Sequence, residues 1–531
     1  MGKVNDLAWD FPYPSQRMPV FAENLVAASQ PLAAQAGLRM LLQGGNAVDA
    51  ALAAAIALTV VEPTSNGLGG DAFALVWDGK ALHGLNGSGR SPRAWTPERF
   101  KGWSAMPEEG WNAVTVPGAV DAWARLWERF GKLDFADLFQ PAVQYAREGF
   151  LVSPIIAAAW TEARDRLGHL PDFAQAFLPG GQAPKPGRRF AQPDQANTLE
   201  RIADTRGEAF YRGDLAEAIA LCARQQGGAM TVEDLARHRT DWVTPIGIDY
   251  RGMRLHEIPP NGQGLAALLA LGMLRHLDLS SHPVDSAESV HLQVEAMKRA
   301  FAVAHARVAD PDFMTVDYYD FLEDDFLSAE AAAISPDRAA EPGPPPPTDH
   351  GTVYLTAADR DGMMVSFIQS NYAGFGSGVV IPGTGISMQN RGAGFCLKPG
   401  HPNQVAGGKR PYHTILPGFV TQGPEAVMSF GVMGGHMQPQ GHVQMMVRIF
   451  DYGQNPQAAS DAPRWHLCKD NRLALEPGFD PATAEKLRRR GHRLTTETSF
   501  GGYGGAQLIC RLPKGYCGAS DHRKDGQAVG Y

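Results

Sequence analysis

Thr352 is the residue whose setting most directly suggests covalent chemistry. It stands in Asp349-His350-Gly351-Thr352-Val353-Tyr354-Leu355-Thr356, just after a run carrying Pro342, Pro344, Pro345, Pro346 and Pro347. That run is unsuited to helix or central strand. Downstream, Val353-Tyr354-Leu355-Thr356 is β-prone, Asp359-Arg360-Asp361-Gly362 signals a turn, and residues 363–368 form a second apolar run, the pattern of a hairpin. A plain linker entering a strand would read the same way. If the Gly351–Thr352 bond breaks, however, Thr352 gains an α-amine beside its own hydroxyl, which puts a base and a nucleophile in one residue.

A second chemical feature is Gly431-Val432-Met433-Gly434-Gly435-His436, between a strand at 427–430 and a helix expected at 441–450. Bare N–H groups of a Gly-Gly turn can aim at one point and stabilise an oxyanion; a simple tight turn is the alternative. Thr64-Ser65-Asn66-Gly67-Leu68-Gly69-Gly70-Asp71 is another glycine loop. It serves close packing or backbone approach to a ligand, and it precedes a strand, so it is no dinucleotide fingerprint. His436 and His442 are six apart, which is not a helical metal spacing. Cys222, Cys396, Cys468, Cys510 and Cys517 are scattered without CxxC spacing. Neither metal nor cofactor is expected, and the cysteine usage fits a reducing cytosol.

The elements that must position these residues are readable in outline. The 531-residue chain can bury large cores. Its 48 Lys+Arg against 56 Asp+Glu leave nothing polybasic, so nucleic acid and anionic membrane are not expected partners. Residues 1–20 lack an apolar signal region, and the longest apolar run, about 50–61, is too short to span a bilayer; a cytoplasmic location is expected. Helices are expected at 32–43, from an Asn46 cap to Val61, along the Val120, Trp123, Trp127 and Phe130 face, and at 141–148, 197–203, 214–226, 265–277 and 286–309. Strands are expected at 72–77, 82–85, 251–258 and 506–511, near Gly518, and among the glycines of 374–383. This gives a helix-rich first half, a proline-rich break and a strand-rich second half.

Together these landmarks resemble the γ-glutamyltranspeptidase family of N-terminal-nucleophile hydrolases. The resemblance runs through Gly44-Gly45-Asn46-Ala47-Val48-Asp49-Ala50-Ala51, Gly67-Leu68-Gly69-Gly70, Val116-Pro117-Gly118, Phe210-Tyr211-Arg212-Gly213, Pro259-Pro260 and Asp310-Pro311-Asp312. It continues in Lys409-Arg410-Pro411, Gly434-Gly435, Asp461-Ala462-Pro463-Arg464 and Gly518-Ala519-Ser520-Asp521. It implies an α+β fold, the four-layer αββα sandwich, as one joint globular domain. It implies self-cleavage between Gly351 and Thr352 into a large piece, 1–351, ending in a processing segment at about 335–351, and a small piece, 352–531. The two stay together as a heterodimer, with further homo-oligomerisation left open. By the same resemblance Thr352 is nucleophile and base, Ser370 orients it, and Gly434 and Gly435 form the oxyanion hole. Thr414 matches one of two adjacent substrate-side serines, and His413 stands at the other.

The departures bear on the substrate. Where γ-glutamyl enzymes place a carboxylate-binding arginine, this chain has Ser88, with Arg90 two residues on. The aspartate that holds an α-amino group is replaced by Gly394, and a nearby asparagine by Tyr372. The lid shrinks to about 404–408, and Val353-Tyr354 replaces the usual Thr-His. The branch lacking the clamp includes cephalosporin-acylase-like proteins and oxamate amidohydrolase. The expected function is therefore self-processing amidohydrolysis of a small carboxylate-bearing amide such as oxamate, with Arg90, Arg391, His413, Thr414, His436 and Tyr372 around the substrate. The alternatives are a γ-glutamyl hydrolase or transpeptidase acting on glutathione-like amides, a cephalosporin-acylase-like amidase, and a non-catalytic scaffold.

Overall fold

A computed structural model of the chain describes residues 17–340, 351–468, 471–496 and 502–531. The proline-rich run and Asp349-His350 lie outside the described residues.

The helix Ala47–Val61 is buried at every position. Asn46 Oδ1 accepts the N–H groups of Val48 and Asp49, and the Asp49 carboxylate accepts the Asn46 N–H in return, a closed capping box. Small alanines let this helix lie close under a sheet of seven strands, ordered Gln527–Gly530, Leu25–Ala28, Val353–Ala358, Met364–Ser370, Asp71–Trp77, Leu82–Gly87 and Asp241–Val243. A second seven-stranded sheet runs Val20–Ala22, Tyr516–Ser520, Gly505–Arg511, Glu425–Met433, Gly418–Gln422, Met253–Glu257 and Ile246–Tyr250. The pairings within both sheets are antiparallel.

Three apolar clusters define the layers. One joins the first sheet to helices that include Ala47–Val61 and Ala119–Phe130. One joins the second sheet to Gly264–Leu274, Ala287–Arg307 and Met437–Phe450. The third, with Phe73, Tyr354, Ile368, Phe419, Met433 and Ile509, fills the space between the sheets. The αββα sandwich is therefore present.

The expected helix-rich first half and strand-rich second half are present among the described residues, with thirteen α-helices before Gly351 and three after it, but the two halves do not form separate layers. Strands from before and after Gly351 share both sheets evenly, and Leu25–Ala28 is inserted between two strands from the far side of that residue. Short strands rich in alanine, such as Leu-Val-Ala-Ala, carry little β signal of their own. The glycine run at 374–383 also departs from expectation. It holds only the two-residue strand Val380–Ile381, because Gly376, Gly378 and Gly383 take φ of 65°, 74° and 70° and turn the chain.

Two remote motifs meet behind the second sheet. Arg464 Nη2 donates to Asp521 Oδ2 over 2.5 Å with both side chains fully buried, and the same carboxylate oxygen accepts the Ala506 N–H. The last described residues before the proline run are also docked. The Ala340 N–H donates to Glu295 Oε2 (2.9 Å), Ala339 N–H donates to Arg490 O (2.7 Å), and the Ser335 carbonyl bonds His291 Nε2 (2.8 Å). Ligand atoms of His291, Glu295 and His492 lie within 4.8 Å of one another. They are engaged already: the two rings bond each other over 2.7 Å, and Lys298 Nζ donates to Glu295 over 2.6 Å.

Candidate active site

The first sheet lines up the expected nucleophile with its neighbours. Val353 pairs with Gln369 and Ser370 pairs with Asp71, so Thr352, Ser370 and Asp71 stand side by side at the ends of three adjacent strands. Side chains alternate along a strand. Tyr354, Ile368 and Phe73 point between the sheets, and so do the three residues two positions away from them. Across the gap, Thr356 Oγ1 bonds Ser429 Oγ (2.6 Å), and a Cβ on Gly431 would lie 2.4 Å from the Tyr354 ring. The strand carrying Ser429 and Gly431 ends at Met433 and passes into the Gly434-Gly435 turn. Those glycines take φ of 121° and 52°. The helix then begins at Met437, not at 441 as expected, so the turn leads directly into it.

Thr352 is 2% exposed. Its hydroxyl donates to Ser370 Oγ (3.3 Å), which also accepts the Tyr372 N–H (2.8 Å). The Ser370 hydroxyl in turn donates to the Gly351 carbonyl (2.9 Å). A single serine thus touches both the hydroxyl and the carbonyl of the Gly351–Thr352 unit. Tyr372 is held at φ 76°, a strained conformation for a bulky residue that recurs at functional sites.

Arg391 opens a short 3₁₀ turn, Arg391–Gly394, and is wholly buried. Its guanidinium lies over the Tyr372 ring at 4.6 Å, and Nη1 donates to Thr414 Oγ1 (2.8 Å). Nε and Nη2 are buried with no protein acceptor. This is the side-on edge that grips a carboxylate with two parallel bonds. Burial pushes its pKa down to about 10 against the pull of Asp71, so it stays charged at neutral pH.

The other expected substrate residues are placed differently. Arg90 is partly exposed and gives Nη1 to Asp310 Oδ2 (2.8 Å) and the Gly408 carbonyl (3.2 Å). His436 follows the glycine turn and packs its ring among Tyr412, His305 and Phe301. His413 is fully buried and bonds Asp71 Oδ2 (3.0 Å).

Asp71 was not among the expected site residues, because a carboxylate closing a glycine loop reads as a turn former. Its Oδ1 accepts from Gln389 Nε2 (2.9 Å), Gly118 N–H (3.0 Å) and Gly89 N–H (3.2 Å), and its Oδ2 meets His413. Three donors thus crowd Oδ1, and His413 meets Oδ2. Burial raises its pKa to about 6, with Arg391 and the three donors opposing. Asn261 is a second residue that the sequence did not single out. Its Nδ2 donates to the Pro411 carbonyl (2.8 Å) and to Ser88 Oγ (3.2 Å).

The missing aspartate at 394 has a steric counterpart: a Cβ there would stand 2.6 Å from the Tyr412 carbonyl oxygen. Gly394→Asp is expected to destabilise the fold by about 1–3 kcal/mol through overpacking, read as a lower thermal midpoint. An unchanged midpoint would mean that the turn opens freely.

Residues 33–531 match the family model described as gamma-glutamyltranspeptidase. The chain is 38% identical over 518 residues to a glutathione hydrolase-like proenzyme of Bacillus subtilis, covering 96% of this chain and 98% of the relative. It is 37% identical over 529 residues to the oxamate amidohydrolase proenzyme of Klebsiella pneumoniae, covering 96% and 99%. The crystal structure of cephalosporin acylase from Bacillus halodurans superposes with a TM-score of 0.95 at 48% identity, covering 99% of each chain.

Proposed function

The chain belongs to the γ-glutamyltranspeptidase family and is an N-terminal-nucleophile amidohydrolase, and on that footing we propose that it cuts itself before Thr352 and hydrolyses a small carboxylate-bearing amide that lacks an α-ammonium group, oxamate being the simplest. The observation that carries this reading is the open Nε–Nη2 edge of the buried Arg391. The donors already on both oxygens of Asp71 support it from the other side, since a γ-glutamyl ammonium would have to compete with them there, and an unpaired buried charge costs several kcal/mol.

Processing begins with the Thr352 hydroxyl attacking the Gly351 carbonyl carbon while the Ser370 hydroxyl donates to the carbonyl oxygen. The peptide nitrogen leaves as the new α-amine, and water hydrolyses the resulting ester. This yields the pieces 1–351 and 352–531. In turnover the α-amine takes the hydroxyl proton and Oγ1 attacks the substrate amide. Gly434 and Gly435 N–H groups hold the oxyanion, each typically worth about 3 kcal/mol. Ammonia departs with the proton, and water, activated by the amine, releases the carboxylate. Arg391 and Thr414 fix the substrate's own carboxylate throughout.

The test is a panel of oxamate, oxamide, glutaryl amides, glutamine and glutathione on processed protein, scored by ammonia or amine release. We expect kcat/KM for oxamate to exceed that for glutathione by at least about tenfold, a difference of 1.4 kcal/mol. Equal or faster turnover of glutathione overturns the substrate assignment.

A further inference from the structure

A buried guanidinium needs a counter-charge, and Asp71 is the carboxylate that supplies it to Arg391. Asp71 is bonded to His413, whose Nδ1 accepts the Ile415 N–H over 3.4 Å. When neutral, His413 therefore carries its proton on Nε2 and gives it to Asp71. All three side chains are fully buried. With Arg391 charged, Asp71 ionised and His413 neutral, the cluster sums to zero. A carboxylate arriving on the open edge of Arg391 leaves one uncompensated negative charge in a site closed to water. One proton, placed on the Asp71–His413 pair, restores the balance.

We propose that Asp71 and His413 are specificity-determining residues that take up one proton from solvent when a carboxylate-bearing substrate binds Arg391, so that the site binds an anion together with a proton. This rests on the reading of Arg391 as the carboxylate ligand. In the bound site the pair holds two protons, one in the Asp71 Oδ2–His413 Nε2 contact and the added one on His413 Nδ1, which gives up its long contact with the Ile415 N–H; the added proton returns to solvent when the carboxylate leaves. No covalent bond changes.

The surroundings leave the pair as the natural acceptor. Arg410 faces His413 but is neutralised by Asp241 at 2.6 Å. The Tyr211 phenol, pushed far up by burial and then by Asp121, is neutral and donates to the Pro117 carbonyl. Tyr372 offers its ring face to Arg391. Burial has raised Asp71 to about 6 and, with Arg391 and Arg410, pushed His413 well below its ordinary value. The pair of the free enzyme therefore lacks the extra proton at neutral pH. After processing, the Thr352 α-amine becomes a further titrating group in the same row.

The experiment is the pH dependence of KM and kcat on processed enzyme between pH 6 and 8.5, with oxamate as the anion and oxamide as its neutral counterpart. Above about pH 7, uptake of one proton makes KM for oxamate rise by about tenfold per pH unit, levelling off toward pH 6 where the free pair begins to hold the proton itself, while KM for oxamide stays flat. Titration of the α-amine moves kcat for both substrates alike, which separates it from the pair. His413→Asn and Asp71→Asn are each expected to flatten the oxamate KM profile. A flat wild-type profile overturns the proposal without needing any variant to fold, and a slope that survives both substitutions overturns it as well. If oxamate shows no preference over oxamide at any pH, the carboxylate-binding reading fails; if the preference is present and KM for oxamate is flat, the proton uptake alone fails.

Discussion

Thr352→Ala is expected to leave a single chain of 57.2 kDa with turnover reduced by at least about a thousandfold. The alanine removes the hydroxyl proposed to attack the Gly351 carbonyl, so no new amine would form and both proposed roles of the residue would vanish together. Thr352 is small and lies at the end of a strand, and its hydroxyl makes one long bond to Ser370, so the fold survives the change. Thr352→Ser keeps the hydroxyl and is expected to process and to turn over, both more slowly. Gel bands and ammonia release read these outcomes together. A wild-type protein that stays in one band yet hydrolyses amides would remove the self-cleavage reading. Loss of processing in Ser370→Ala would confirm that the bond to the Gly351 carbonyl counts before the cut.

Arg391→Lys is the second large effect. Lysine keeps a positive charge beside Asp71 but cannot present two parallel donors. We expect kcat/KM for oxamate to fall by about a hundredfold, the range for removing a charge-assisted bidentate contact, with oxamide changed much less. Arg90→Ala serves as the comparison. Arg90 already spends Nη1 on the buried Asp310 carboxylate and the Gly408 carbonyl, so its loss is expected to move kcat/KM by less than about threefold. A reversal of the two effects would transfer the carboxylate contact to Arg90.

These two arginines show where sequence reading stops. Both stand in motif neighbourhoods and carry the same charge. What separates them is Asp310, 220 positions from Arg90, against an open edge on Arg391 that only the packing of Tyr372 and Thr414 defines. Local signals fared better. The Asn46 cap, the all-buried helix behind it and the hairpin after Thr352 each depend on residues within a few positions of one another. Asp71 escaped notice because its partners arrive from Gly89, Gly118, Gln389 and His413, and nothing beside it in the chain announces them. The start of the Met437–Phe450 helix was hidden in the same way: Pro439 and Gly441 weaken its first turns on propensity alone, while the glycine turn and the second sheet hold them in place.

The sharing of both sheets by the two sides of Gly351 has a consequence for the life of the cut molecule. Leu25–Ala28 is laced between Val353–Ala358 and Gln527–Gly530, and Met253–Glu257 is laced to Gly418–Gln422. Once the bond before Thr352 is severed, the two polypeptides are bound as one weave, and parting them means unpicking the backbone ladders of each sheet. Two differently tagged preparations mixed after processing should never yield hybrids. With the proposed cut, each molecule would keep for its lifetime the partner it was translated with, and a defect in either piece would not be rescued by a sound copy of the other made elsewhere.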